Sequence, residues 1–395
     1  MAFRKRNVGI AQPGSSPSSI EITEKKSIPG VRPSPLDGRP TTSTGTHSLD
    51  NLLAGHAGLV LGTSLLIEES GTTDFGGALL RYYAAEGILQ GHQIHVFGMN
   101  EAWGRELPGL GSAESSRSAK KETAADDKMK IAWRYERLGE FGVGARDRTV
   151  APPSATSSGS AGTFCHDFDL SKRLTLPSTT QMQFVPIITR PNLEFATLDS
   201  NKSPFNTFIN HIANYLSNSS SNTIHRVIIP TILSPALYPP HASRPEIVLQ
   251  FFHALRGLLR KYPTQLTVIT TLPLTLYPRS SGLTRWMELL SDGVLELSPF
   301  PSTSVATKSA PGVTTVQEEP PQGMLNVHRL PIFHERGGGG GEASGFGNDL
   351  AFTLSRRKGL VIRPFSLPPV EGDSEAQQGG LESDHGKATK VDIEF

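Results

Sequence analysis

The chain is nearly without cysteine. Among 395 residues Cys165 stands alone. That excludes an intrachain disulfide framework and a zinc site built on cysteines, and it fits a reducing compartment. Long apolar runs are missing as well. No stretch approaches the roughly 20 residues of a membrane-spanning helix, so no membrane association is expected. Excess charge is missing too: 38 Lys and Arg against 37 Asp and Glu leave a net charge of +1, so no global basic field announces a nucleic-acid partner. The basic residues Arg4, Lys5 and Arg6 are followed by no apolar core. They read as a solvated arm rather than a secretory signal.

The most telling absence is local. Residues 59–90 read as a buried strand (Leu65, Leu66, Ile67), a Gly/Thr turn and a helix. This is the strand–loop–helix frame of a phosphate-binding loop, whose chemistry is G-x-x-x-x-G-K-[ST]. The lysine neutralises the β- and γ-phosphates and the hydroxyl holds Mg²⁺. Here the loop reads Glu68-Glu69-Ser70-Gly71-Thr72-Thr73-Asp74-Phe75, and no Lys or Arg lies between Arg39 and Arg81. The backbone N–H groups of Ser70, Gly71, Thr72 and Thr73 are the remaining candidates for an unorthodox nucleotide loop. Glu68, Glu69 and Asp74 would repel a triphosphate at close range, so a turn that has lost phosphate binding is the better reading. A second part is absent from the strand at 226–229. It runs into Pro230-Thr231-Ile232-Leu233-Ser234-Pro235, with no carboxylate to coordinate Mg²⁺. Losing both parts together points to a RecA-type frame that does not hydrolyse ATP alone.

The rest of the chain divides by composition. Residues 1–40 are rich in Pro, Ser and Gly and read as a disordered arm, and 371–395 as a disordered tail. Between them, 41–370 forms one α/β domain interrupted by low-complexity insertions at about 111–127, 148–162, 301–322 and 335–348. Helical spacing of Phe75, Leu79, Tyr82 and Leu89 predicts the first helix. A strand at 94–97 follows, and MKIAWRYERL reads as a strand or hairpin arm. SPFNTFINHIANYL predicts a helix with Ser203 as N-cap and Pro204 at its first position. Residues 245–262 predict another, ended by Pro263. LTVITTLPL is a buried strand, and LTRWMELLSDG a short helix closed by Gly293. Four strands then follow, from GVLELSPF to GLVIRPFSL. Alternating strands and helices, then a run of strands, predict a mainly parallel sheet with an antiparallel edge.

Other candidate sites are weaker. Arg279 and Arg285 lie in one loop region and His241 and Arg244 in another. In RecA-type rings such loops face the pore, where arginines contact phosphates without reading sequence. Trp103 is a candidate for either an interface or the core. The FCHDFDL segment directs Phe164, Phe168 and Leu170 to a core, which leaves Cys165 and His166 structural. No second Cys or His sits at metal-ligand spacing, so no metal or cofactor is expected.

STGTHSLDNLLAGHAGLVLGTSLLIEESGTTDFGGALLRYYAAEGI, KIAWRYERL, FCHDFDLSKRL, HRVIIPTILSP and LSRRKGLVIRPFSLPP, taken in order, resemble the PAXNEB family, the fourth subunits of the Elongator complex. EESGTTDF in place of the phosphate loop is the most specific of these matches, which span 43–369 with the linkers unmatched. The long linkers suggest a fungal-type member. The resemblance implies a RecA-like fold without the usual ATPase motifs. It implies partners: Elongator subunits five and six, two copies of each in a heterohexameric ring, which binds tRNA and joins the remaining Elongator core. It further implies support for a carboxymethyl-type modification at carbon 5 of the wobble uridine, U34, and residence in cytoplasm and nucleus. ATP hydrolysis, where it occurs, belongs to the assembled ring, and the radical and acetyl-CoA chemistry to the third subunit. The competing readings are an active RecA- or KaiC-type ATPase and a pseudo-ATPase scaffold with unrelated partners.

Overall fold

Six neighbouring strands are parallel because helices return the chain between them, and both faces of the resulting sheet are covered. The computed structural model describes residues 28–53, 55–111, 163–177, 180–187, 203–301, 319–331 and 350–365. Three short strands, β1 (Val31–Pro33), β2 (Pro40–Thr42) and β3 (Leu59–Val60), pair antiparallel around helix α1 (His47–Leu52). Then come β4 (Ser64–Glu69), α2 (Phe75–Leu89), β5 (Gln93–Phe97), α3 (Glu101–Gly104), β6 (Pro108–Leu110), β7 (Phe168–Arg173) and β8 (Met182–Val185). Next are α4 (Asn206–Asn218), β9 (His225–Ile229), α5 (Pro245–Lys261), β10 (Leu266–Pro273), α6 (Gly282–Leu290) and β11 (Gly293–Pro299). Three strands finish the described chain: β12 (Gly323–Arg329), β13 (Leu350–Ser355) and β14 (Gly359–Pro364).

The main sheet has nine strands in the order β14-β13-β12-β11-β4-β10-β9-β5-β8. From β11 to β8 the pairs are parallel; β12, β13 and β14 add antiparallel at the other end. Taken in chain order, the five strands from β11 to β5 lie as fifth, first, fourth, third, second. This is the arrangement of a RecA-like fold, with the candidate loop directly after its first strand. The antiparallel edge expected from the sequence is present, and Arg356-Arg357-Lys358 form the β13–β14 hairpin turn.

Alternation along β4 assigns its side chains to two cores. Leu65 and Ile67 pack with α1, α2 and the antiparallel strands, whereas Leu66 packs with α4, α5 and α6. On the second face, Ile247, Val248, Phe251, Phe252, Leu255 and Leu259 form the buried stripe of α5. Trp103 is only 7 % exposed and belongs to the first core, which decides against it as a surface for a neighbour.

Three boundaries differ from the sequence reading. Residues 28–40 are structured, because β1 pairs with β2 and the Pro29 carbonyl accepts from His92 Nε2, and a buried cation holds the chain just beyond them. Arg226 on β9 has no exposed surface. Its guanidinium donates to the Ser43 and Tyr83 carbonyls at 2.9 Å each and to Thr42 Oγ1 at 2.7 Å. Helix α4 begins at Asn206 after a turn, with Phe205 as its cap, so Ser203 and Pro204 precede the helix. Helix α6 ends at Leu290 with Ser291 as its cap, and Gly293 is already the first residue of β11. MKIAWRYERL, residues 1–27, the tail and most of each insertion lie outside the described residues. No described helix is long and apolar enough to cross a membrane.

Candidate functional site: a carboxylate in the phosphate position

A phosphate loop works because the first N–H groups of a helix have no partner within the helix and point at an anion. Helix α2 offers such groups, and Glu69 takes them. Its Oε1 accepts from the Phe75 N–H at 2.9 Å and from Thr73 Oγ1 at 2.9 Å, and its Oε2 accepts from the Gly76 N–H at 2.8 Å. Glu69 is 8 % exposed. Burial leaves its pKa raised above the usual carboxylate range, although the Gly76, Phe75 and Thr73 donors offset part of that. A Cβ at 76 would lie 3.0 Å from Glu69 Oε2 and 3.2 Å from Thr271 Cγ2, so any larger residue there would press on the carboxylate. Gly71, at φ 89°, makes the left-handed turn that brings the chain round.

With Gly71 as the second glycine of the motif, Thr72 stands in the lysine position and Thr73 in the hydroxyl position. Thr72 is exposed, and the Thr73 hydroxyl is spent on Glu69. Ser70 donates its N–H to the Leu297 carbonyl, so that group faces the sheet rather than a ligand. Asp74 pairs with Arg81 at 3.0 Å, and Arg81 also reaches Glu106. The two adjacent glutamates, read together as a barrier to phosphate, therefore do different things. Glu69 accepts from the first N–H groups of α2. Glu68 points to the opposite face of the sheet and is fully buried there.

The segment after β9 is bent rather than acidic. Thr231 and Leu233 have φ of 44° and 65°, a conformation costly for a β-branched threonine. It is held by the Thr231 N–H donating to Thr271 Oγ1 (2.7 Å) and the Tyr277 hydroxyl donating to the Leu233 carbonyl (3.0 Å). Thr231→Gly is expected to raise the unfolding free energy by about 1 kcal/mol, read from the urea midpoint, because it relieves that strain while keeping the N–H.

The arginine candidates divide. Arg279 is committed internally. It meets Glu288 at 2.8 Å, Glu68 at 3.3 Å and Glu296 at 3.9 Å, and Glu288 above all holds its pKa high. Arg279→Glu would add a fourth carboxylate to this half-buried cluster and so test the fold before any RNA contact. Arg285 also bonds Glu288, at 2.7 Å, but its side chain is 60 % exposed. Arg244 is exposed at the start of α5. Glu68 sits under this cluster, and burial among Glu288 and Glu296, against the opposing pull of Arg279, pushes its pKa up to about 8. Cys165 is buried and its thiol is pushed up by burial, while His166 is paired with Glu86 at 3.0 Å. Of the three aromatic and aliphatic neighbours, Phe168 is buried, Leu170 is half-buried against the first core, and Phe164 is half-buried under the Arg32 guanidinium, 3.5 Å from its ring centre.

The family profile described as PAXNEB protein matches residues 24–395. The chain belongs to the PAXNEB family. Among relatives of this PAXNEB chain, Elongator complex protein 4 of Schizosaccharomyces pombe is 30 % identical, covering 95 % of each chain. Elongator complex protein 4 of Saccharomyces cerevisiae is 26 % identical over 93 % of this chain and 84 % of the relative. The human protein of that name is 29 % identical over 90 % and 83 %. Among solved structures, a KaiC-like protein from Pyrococcus horikoshii OT3 matches with 12 % identity and a TM-score of 0.38, covering 82 % of this chain and 99 % of its own.

Proposed function

We propose that this chain is a noncatalytic RecA-like subunit of the Elongator complex. It works in a heterohexameric ring with two copies each of subunits five and six, and that ring binds tRNA and supports the carboxymethyl-type modification of U34. On this reading the chain acts in cytoplasm and nucleus, without a membrane partner, and brings no cofactor of its own. The observation that carries the noncatalytic part is the Glu69 carboxylate seated on the α2 N-terminus, where a nucleotide phosphate would otherwise dock. The shared name of the relatives supports the assembly. In the ring the chain's contribution is shape and surface: a sheet flanked by helices, with Arg244 exposed at the start of α5 and Arg285 exposed on α6.

The test is reconstitution. Co-expression with the two partner subunits should give a particle of the mass of two copies of each chain, and that particle should bind tRNA. A chain that stays monomeric beside both partners would refute the assembly. Arg244→Glu and Arg285→Glu are expected to leave the particle intact, to weaken tRNA binding, and to flatten the plot of log affinity against log salt by about one unit for each lost phosphate contact. Unchanged salt titrations for both variants would place the RNA surface elsewhere. Mass spectrometry of wobble uridines from cells lacking the protein should show the modification lost.

A further inference from the structure

The cluster around Glu68 has a feature that its arginine does not explain. Glu68 has no exposed surface, and neither of its carboxylate oxygens makes a hydrogen bond among the described residues. Its nearest opposite charge is Arg279 Nε at 3.3 Å, a donor that is already 2.8 Å from Glu288 Oε1. Beside it, in register on the adjacent parallel strand β11, lies Glu296. On the next strand, β12, a register shift opposite Val294 and Leu295 leaves His328 as the extra residue of a β-bulge. Bulges re-aim side chains, and this one sends His328 Nε2 to Glu296 Oε2 at 2.7 Å. The same bulge sends Arg329 to the carbonyls of Glu288, Leu289 and Ser291 at the end of α6. Glu68, Glu296 and His328 thus bring one ligand atom each to within 4.8 Å of one another.

We propose that Glu68, Glu296 and His328 form a binding site for a divalent first-row transition ion, of which Zn²⁺ is the representative. Two carboxylate oxygens and one imidazole nitrogen are a donor set that such ions accept, with a remaining position open to water. The side chains of Glu296 and His328 are 15 % and 24 % exposed, which gives an ion a way in, while Glu68 closes the inner side. Arg279 keeps Glu288 as its partner when the ion is bound, and Glu288 also keeps Arg285. The ion satisfies the carboxylate that the protein leaves without a hydrogen bond, and it links β4, β11 and β12 immediately before Glu69. The ligands come from three strands far apart in sequence, so no spacing motif announces them.

The experiment is titration of the full-length chain, stripped with a chelator, with Zn²⁺ in a calorimeter, followed by melting curves with and without one equivalent. One saturable equivalent is expected, with a melting temperature raised by several degrees. Glu68→Gln and, independently, the more exposed His328→Gln should each weaken binding at least tenfold and abolish that rise, with circular dichroism unchanged. Absence of stoichiometric binding would overturn the proposal. So would binding that both variants leave unchanged, which would assign the ion to surface histidines. If one variant fails to fold, the other decides.

Discussion

Replacing Glu69 with alanine is expected to lower the unfolding free energy by about 3 kcal/mol. Two N–H groups of the first turn of α2, and the Thr73 hydroxyl, lose the carboxylate that accepts from them. Hydrogen bonds to a charged acceptor are each worth roughly 1.5–3 kcal/mol, and the three share one group, so their losses do not sum. Gly76 is buried, so water cannot readily replace the lost acceptor at that N–H. Glu69→Gln should recover part of the loss, since the amide oxygen still accepts while the charge that favours a helix N-terminus is gone. Denaturant melts of the two variants measure this. Equal stability of wild type and alanine variant would show that Glu69 is not what holds the loop. Neither variant should gain ATP affinity, because position 72 still lacks a lysine.

The second large effect is a loss of stability in acid. His92, His95 and His225 are buried, and burial first of all depresses their pKa values to about 3, about 3 and about 4, against 6.5 in the open chain. His92 has a geometric reason as well: its Nδ1 accepts from Arg226 Nε at 2.9 Å, so a proton there would face a guanidinium, while Nε2 donates to the Pro29 carbonyl. His95 lies between His211 (3.2 Å) and His225 (3.0 Å), which continues to Ser219. Below pH 6.5 the unfolded chain binds these protons and the native chain does not. Stability is therefore fully present above 6.5 and falls as pH drops toward the native values. Each ring contributes a slope of about 1.4 kcal/mol per pH unit, so the three together approach about 4. Glu68, with its raised value, works in the opposite direction between about 8 and 4.5. The clean comparison is a difference: His95→Gln should have a stability–pH slope between pH 6 and 5 that is shallower than wild type by about 1 kcal/mol per unit. Imidazole NMR signals of the native protein that titrate near 6.5 at all three positions would contradict the account.

Much of the frame was readable because it is local. The α2 and α5 stripes follow from spacing, and the strands of the antiparallel edge follow from apolar runs bounded by Gly and Pro. The absence of the lysine and of the carboxylate after β9 was legible directly in the residues. What Glu69 does instead was partly within reach: a strand's two-residue period puts Glu68 and Glu69 on opposite faces, so only one of them could stand at the loop. That it turns back to cap α2 depends on the loop's path and on Gly76. The partners of Arg279 could not be read from the sequence, because Glu68, Glu288 and Glu296 lie on three other elements. Residues 28–40 looked disordered by composition, yet β1 pairs with β2, and the Pro29 carbonyl accepts from His92, more than sixty positions away. Pairings of this kind come from the fold and leave no pattern in the chain.

The central claim is that the position of the nucleotide phosphate is occupied by the protein's own carboxylate. Calorimetric titration of the purified wild-type chain with Mg-ATP tests it most directly. The account predicts no saturable heat up to millimolar nucleotide, and saturable binding in the micromolar range would contradict it.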